Sequence, residues 1–278
     1  MFILHPHERV SDVQRRQMTT VNASNVNNIA LLGSFDDCQN MVKACFSDQS
    51  FLPPDRQLAA VNSIYLARVV AQIVYYFWAA LRLENGTKQV SFSVPTGNFG
   101  DIYAGYIAHK MGLPINQLII ATNANDILHR CVSANDHSLK PLKRTLAPSM
   151  DIMISSNFER LLFDLYDHDG AAIERLMADA KNGNMYLDDR AITELRKLFF
   201  SYKCDDQHLL SVISSVYHDS GYLIDPHTAI GLEAARKCRI SDETPMVTLA
   251  TAHPAKFPEA IRKAGFADDP KLPEHMSD

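Results

Sequence analysis

Residues 90–113, VSFSVPTGNFGDIYAGYIAHKMGL, read as a strand, a tight loop and a helix. Val90, Phe92 and Val94 recur with a period of two, Pro95 stops the strand, and residues 102–111 carry apolar and small side chains at helical spacing. The loop between them is Thr96-Gly97-Asn98-Phe99-Gly100-Asp101. Its two glycines let backbone approach a ligand closely, and the first amides of the following helix point into the same space with the positive end of the helix dipole. That describes a phosphate cradle, but a βα turn that needs glycine only to be tight has the same pattern, so on the residues alone both readings stand. Two common phosphate loops are excluded. No Lys-Ser or Lys-Thr follows the glycines, as a triphosphate loop requires, and Gly-x-x-Gly lacks the third glycine of a dinucleotide fingerprint. A phosphorylated cofactor remains.

Composition narrows the partner. With 278 residues, 46% of them hydrophobic, the chain can bury a sizeable core as one large domain or two smaller ones. A net charge of −5 and the absence of any Lys/Arg-rich block argue against nucleic acid and acidic membranes, and point to a small-molecule partner. Cys38, Cys45, Cys131, Cys204 and Cys238 are scattered, without a CxxC pair or zinc spacing, and read as reduced thiols. His5, His7 and His253 lack a second ligand pair, so no metal site is expected. Met1-Phe2-Ile3-Leu4 runs directly into His5-Pro6-His7-Glu8-Arg9, unlike a secretory signal. The apolar run 69–81 falls short of the roughly 20 residues of a membrane span. A soluble, cytoplasmic protein is expected.

In chain order, residues 1–4 read as a buried strand ended by His5-Pro6. Asp12 caps a short helix to Met18, residues 26–32 form a strand, and Ser34 with Asp37 resembles a capping arrangement for a helix through Cys45. This β-α-β-α unit of residues 1–50 is marginal in size for a core of its own, so it is expected to be the remainder of a small domain or to lean on the rest of the chain. The turn-rich connector after Phe51 leads into the large α/β domain, residues 51–278. There Asn62 or Ser63 opens a long helix to about Leu83, whose face Ile64, Ala67, Ala71, Val74 and Trp78 is read as core. Consecutive Tyr75, Tyr76, Phe77 and Trp78 point around the helix and do not make an aromatic cofactor box. Strands at 116–121 and 246–249 alternate with helices, indicating parallel sheets covered on both faces. From 151 to about 222 strand signals vanish, and four segments (158–166, 171–181, 188–200, 207–217) read as a helical insertion. Helices at 228–236 and 258–264 complete the reading.

VPTGNFGD, followed by AGYIAHKMGLP and ATNANDILHR, resembles the pyridoxal-phosphate loop region of bacterial- and fungal-type threonine synthases. The resemblance extends in family order through VQRRQMTT, GSFDDCQ, SSNFERLLFDL, DPHTAIG and TAHPAKF, and so covers nearly the whole chain. It implies an α/β, fold-type-II pyridoxal-phosphate-dependent architecture like that of tryptophan synthase β. It also implies pyridoxal 5'-phosphate as cofactor and conversion of O-phosphohomoserine and water to threonine and phosphate.

Residue by residue, the resemblance implies that Gly97, Asn98, Phe99, Gly100 and Asp101 bind the cofactor and that Thr251 faces its ring nitrogen. Physically, Asp101 beside a phosphate dianion is repelled, so it is expected to cap the helix through the amides of Tyr103 or Ala104. Thr251 follows a strand at the sheet edge where open α/β sheets bind ligands, though on the residue alone a turn or capping role is the plainer reading. Arg160 and Arg68 suit a substrate phosphate as bidentate guanidinium groups, and Ser155 and Asn157 are named with them; helix-surface ion pairs are the plain alternative for the arginines. The family's cofactor-linked lysine, in a Phe-Lys-Asp context, and its Ser-Gly-Asp-Thr-Gly carboxylate loop have no match here and are expected upstream of Met1. Lys110 and Lys256 are read as structural. The chain is therefore expected to be an incomplete and inactive fragment with no catalytic residue of its own. A phospho-lyase acting on O-phosphothreonine, or a non-catalytic module that keeps the fold, are the alternatives.

Overall fold

In the computed structural model, which describes residues 1–59, 66–84 and 87–274, the stretch 90–113 lies at the centre of a four-stranded parallel sheet. The chain order is β1 (Phe2–Pro6), α1 (Asp12–Thr19), β2 (Asn27–Leu31), α2 (Phe35–Ser47), α3 (Leu66–Glu84), β3 (Val90–Pro95), α4 (Gly100–Lys110), β4 (Ile115–Thr122) and α5 (Ile127–Ala134). It continues with α6 (Phe158–Leu165), α7 (Gly170–Lys181), α8 (Asp189–Leu198), β5 (Phe199–Lys203), α9 (Asp206–Ser220), α10 (Pro226–Cys238), β6 (Met246–Thr248) and α11 (Pro258–Lys263). The large sheet has the order β5-β4-β3-β6, all parallel, and β1 and β2 form a separate parallel pair.

Every residue of β3 is buried, as expected of a strand covered on both faces. In β4 the period-two rule sorts the side chains. Leu118 and Ile120 enter a core with Ile73 and Tyr76 of α3 and Ile102 of α4, whereas Ile119 and Ala121 enter the opposite core with Val212 of α9 and Ile230 of α10. The doubly covered parallel α/β class thus stands as expected.

Four local expectations are corrected. The region 151–222 contains a strand: α8 stops at Leu198, and Phe199–Lys203 pairs with β4 from Leu118↔Phe199 to Thr122↔Lys203. Aromatic residues in FFSYK favour a pleated surface, with Phe199 packing into one core and Phe200 and Tyr202 against the other. On α3 the buried stripe is Val69, Ile73, Tyr76 and Ala80, while Ala67, Ala71, Val74 and Trp78 are exposed; Ile64 and the helix start at Asn62 or Ser63 lie outside the described residues. Residues 1–4 are not a buried strand: β1 takes in His5 and Pro6, which are its buried members, and Phe2 is exposed because a two-stranded sheet has little to cover it. The cap of α1 is Ser11, one residue before Asp12, in a reciprocal capping box with Gln14. The Ser34–Asp37 box at α2 forms as read.

Within α3, residues Leu66–Leu83 are long and apolar enough to cross a bilayer by length and composition. Its Tyr76 is nevertheless fully buried edge-on against Phe92 of β3, so this helix covers the sheet. All five cysteines are free thiols.

Candidate active site

The chain leaves β3 toward β4 and β5 on one side and returns as β6 on the other. The carboxyl end of β3 is therefore the point where strand order reverses, the usual ligand crevice of an open α/β sheet. Ser93↔Thr248 is the last pair between β3 and β6, and the Leu249 amide donates to the Ser93 carbonyl at 3.0 Å. The glycine loop and Thr251, far apart in sequence, thus emerge side by side from neighbouring strands. Thr251 itself is exposed, three positions beyond β6.

The loop backbone is held on several sides. Thr96 N–H extends the ladder by donating to the Ala121 carbonyl at 2.8 Å. Phe99 adopts φ 70°, ψ −3°, a left-handed conformation that costs a non-glycine residue about 1–2 kcal/mol. Its ring is 1% exposed and packs edge-to-face on Phe158 at 5.1 Å, which holds the residue there. A left-handed residue followed by helical Gly100 turns successive amides toward one side, the geometry of an anion-binding nest. The first helical bond of α4 runs from Tyr103 N–H to the Phe99 carbonyl at 3.0 Å, so the amides of Gly100, Asp101 and Ile102 precede the ladder. Gly100 N–H donates to Asn98 Oδ1 at 3.0 Å. With the Gly100 amide held inside the loop, the Asp101 and Ile102 amides at the positive end of α4 fit a phosphate group.

Gly97 has a second reason to be glycine. A Cβ there would lie 2.9 Å from the Ser149 carbonyl oxygen and 3.1 Å from Ile152 Cδ1, so the loop sits directly on residues 149–152. On the other side, Ser155 Oγ donates to the Gly97 carbonyl at 2.6 Å, and the Asn157 backbone and side-chain amides donate to the Asn98 carbonyl at 3.0 and 3.2 Å. Arg160 Nε donates to Asn157 Oδ1 at 3.0 Å. Ser155, Asn157 and Arg160 are therefore gathered against the loop.

Asp101 does not cap α4. Its carboxylate accepts from Tyr75 Oη at 2.5 Å and Tyr76 Oη at 3.0 Å, because it is the second residue of the helix and faces α3 rather than the open amides. Burial raises its pKa, with the two hydroxyl donors and the Arg68 charge acting the other way. Burial and the adjacent carboxylate in turn push both tyrosines up. Arg68, exposed on α3, is thereby placed near the loop by way of this pair.

Three features escaped the sequence reading. A cavity of about 450 Å³ is lined by Lys43, Tyr103, Ser156, Asn157 and Arg160 among others, and the buried Ser156 hydroxyl has no hydrogen-bond partner among the described residues. Nothing marks Lys43 in the sequence, since its place depends on how α2 docks. Buried His227 accepts from the Ser149 amide through Nε2 at 3.2 Å and pairs through Nδ1 with buried Asp225 at 2.9 Å, which gives the DPHTAIG motif a task in holding the segment behind Gly97. Around Asp151, the side chains of Asn123, Asn125 and Thr145 form one hydrogen-bonded cluster. Lys110 ends α4, about 15 Å from its first turn by helical rise. Lys256 ends the short 3-10 turn Pro254–Lys256. Among the described residues no group of His, Cys, Asp and Glu could hold a metal ion.

The chain and its fold have counterparts among known proteins. A maize serine racemase superposes with a TM-score of 0.53 at 13% identity, covering 94% of this chain and 69% of the racemase, a likeness of fold alone. The fold is that of the fold-type-II pyridoxal-phosphate enzymes. The family described as threonine synthase, C-terminal, matches residues 228–278. A threonine synthase of Pseudomonas aeruginosa is 58% identical over 100% of this chain and 59% of its own length, and that of Saccharomyces cerevisiae is 41% identical over 96% and 56%. A crystal structure of a pyridoxal-phosphate-bound threonine synthase from Brucella melitensis has a TM-score of 0.89 at 49% identity, covering 99% of this chain and 59% of that one. The chain is similar to these threonine synthases over its whole length and spans about three fifths of theirs.

Proposed function

We propose that this chain supplies the phosphate-binding side of a pyridoxal-phosphate site in a threonine synthase, which converts O-phosphohomoserine and water to threonine and phosphate. The observation that carries the reading is the loop at the switch point, where buried Phe99 is held left-handed at the amino end of α4 and the amides of Asp101 and Ile102 precede the helical ladder. Gly97, Asn98, Phe99 and Gly100 would hold the cofactor phosphate through backbone amides. Asp101 fixes the first turn of α4 to Tyr75 and Tyr76 of α3. Thr251 would meet the ring nitrogen from the neighbouring strand. Bound pyridoxal phosphate supplies an electron sink for carbanion chemistry on the amino-acid substrate. Arg160, with Arg68 as the second candidate, would bind the substrate phosphate as a guanidinium fork. The partner is a small phosphorylated amino acid, and a soluble, cytoplasmic biosynthetic setting accords with it.

Calorimetric titration of the 278-residue chain with pyridoxal phosphate and with pyridoxal tests the reading. One saturable site for the phosphorylated compound and none for pyridoxal is the expected result. Equal affinity for the two, or no binding of either, overturns the loop assignment.

A further inference from the structure

We infer that Ser155 and Asn157 are positioning residues that aim the phosphate loop, and that neither touches a phosphate itself. This inference rests on the loop assignment proposed above. In a trans peptide the carbonyl of one residue and the amide N–H of the next point in opposite directions. The Gly97 carbonyl is held by the Ser155 hydroxyl at 2.6 Å, so the Asn98 N–H is turned away from the 155–157 segment. The Asn98 carbonyl is held twice, by the backbone and side-chain amides of Asn157, so the Phe99 N–H is turned away as well. Two consecutive amides are thereby pointed to the side opposite α6.

The clamp is itself fixed. Ser155 and Asn157 are buried, and Arg160 Nε donates to Asn157 Oδ1, which leaves Nδ2 as the face of that amide turned to Asn98. Phe158, the next residue, packs on the ring of left-handed Phe99. The SSNFER motif thus holds the loop by its carbonyls and by its one buried ring together. The Ser155 hydroxyl and one hydrogen of the Asn157 amide are so committed to the loop backbone, and the site gains preset amides in exchange.

Three variants of the full chain, Ser155→Ala, Ser155→Thr and Asn157→Asp, separate this role from the others. Ser155→Ala removes the donor to Gly97, and Asn157→Asp removes the side-chain donor to Asn98 but leaves an acceptor for Arg160. Affinity for pyridoxal phosphate is read by calorimetry, and the amide resonances of Asn98 and Phe99 are read by NMR without ligand. The expected result is that Ser155→Ala and Asn157→Asp each weaken pyridoxal phosphate binding about tenfold, the upper end of what one ordinary hydrogen bond is worth, and shift both amide resonances. Ser155→Thr, which keeps the hydroxyl, retains wild-type values. Unchanged affinity with unmoved resonances overturns the inference, as does weakened affinity with unmoved resonances, which would make the side chains direct ligands. Should Asn157→Asp fail to fold, the Ser155 pair decides alone. If the wild-type chain binds no pyridoxal phosphate, the parent reading falls, and the resonances by themselves decide whether Ser155 and Asn157 set the loop.

Discussion

Gly97 shows how one residue serves two constraints, of which the sequence displays only one. The Gly-x-x-Gly spacing makes backbone approach to a ligand legible, but the Ser149 carbonyl that would meet a Cβ at 2.9 Å comes from a segment fifty residues on and leaves no local trace. Gly97→Ala is therefore expected to lower stability by about 1–3 kcal/mol, the usual cost of overpacking, as well as to weaken pyridoxal phosphate. Urea unfolding beside calorimetry measures both. Asp101 was misassigned for a related reason: an acidic residue in a first helical turn reads as a cap, and only the docking of α3 brings Tyr75 and Tyr76 to it. His137 is a third case. It is buried, stacks on Phe158, and its pKa is lowered from 6.5 to about 4, chiefly by burial and further by the charge of Arg130. The folded state then takes up this proton less readily than the unfolded chain, so the contribution to stability is complete above pH 6.5 and is lost as pH falls from 6.5 through 4. Between pH 7 and 4.5 the wild-type chain should lose about 2–3 kcal/mol more than His137→Leu in urea unfolding. Equal losses would place the proton elsewhere.

At the scale of elements, periodicity identified the helix at α3 but chose the wrong face. Both sides of it are apolar: Val69, Ile73, Tyr76 and Ala80 are buried, while Leu66, Val70, Val74, Trp78 and Leu81 stand exposed. A hydrophobic period cannot choose a face when both stripes qualify, and the decision falls to the partners, here Phe92 and α4. Ile73→Ala should cost about 2–4 kcal/mol through the cavity it leaves, whereas Val74→Ser should change stability by no more than about 0.5 kcal/mol. Thermal denaturation of the two variants checks the assignment, and a larger loss for Val74→Ser would reverse the face. β5 was missed because it follows α8 without a break: Phe199 ends the helix and begins the strand, leaving no turn signal between them. The capping box at Ser34, by contrast, is entirely local and was legible in full.

For the whole molecule, strand–helix alternation was enough to give a parallel sheet covered on both faces. Strand order was not, because the return of β6 beside β3 depends on contacts across more than a hundred residues. That return creates the switch point and sets the Thr251 segment beside the glycine loop. Lys110 lies at the far end of α4 and Lys256 in a 3-10 turn, and with neither expected to carry the cofactor, borohydride reduction in the presence of pyridoxal phosphate should label no single lysine of this chain in full yield. Quantitative labelling of either one, read by peptide mass spectrometry, would give this chain a cofactor-linked lysine. The most direct test of the loop as the phosphate site is an NMR titration of the chain with pyridoxal phosphate. Saturable shifts should centre on the amides of Asn98, Phe99, Gly100 and Asp101. Shifts that leave these four amides unmoved while resonances elsewhere titrate would contradict the assignment.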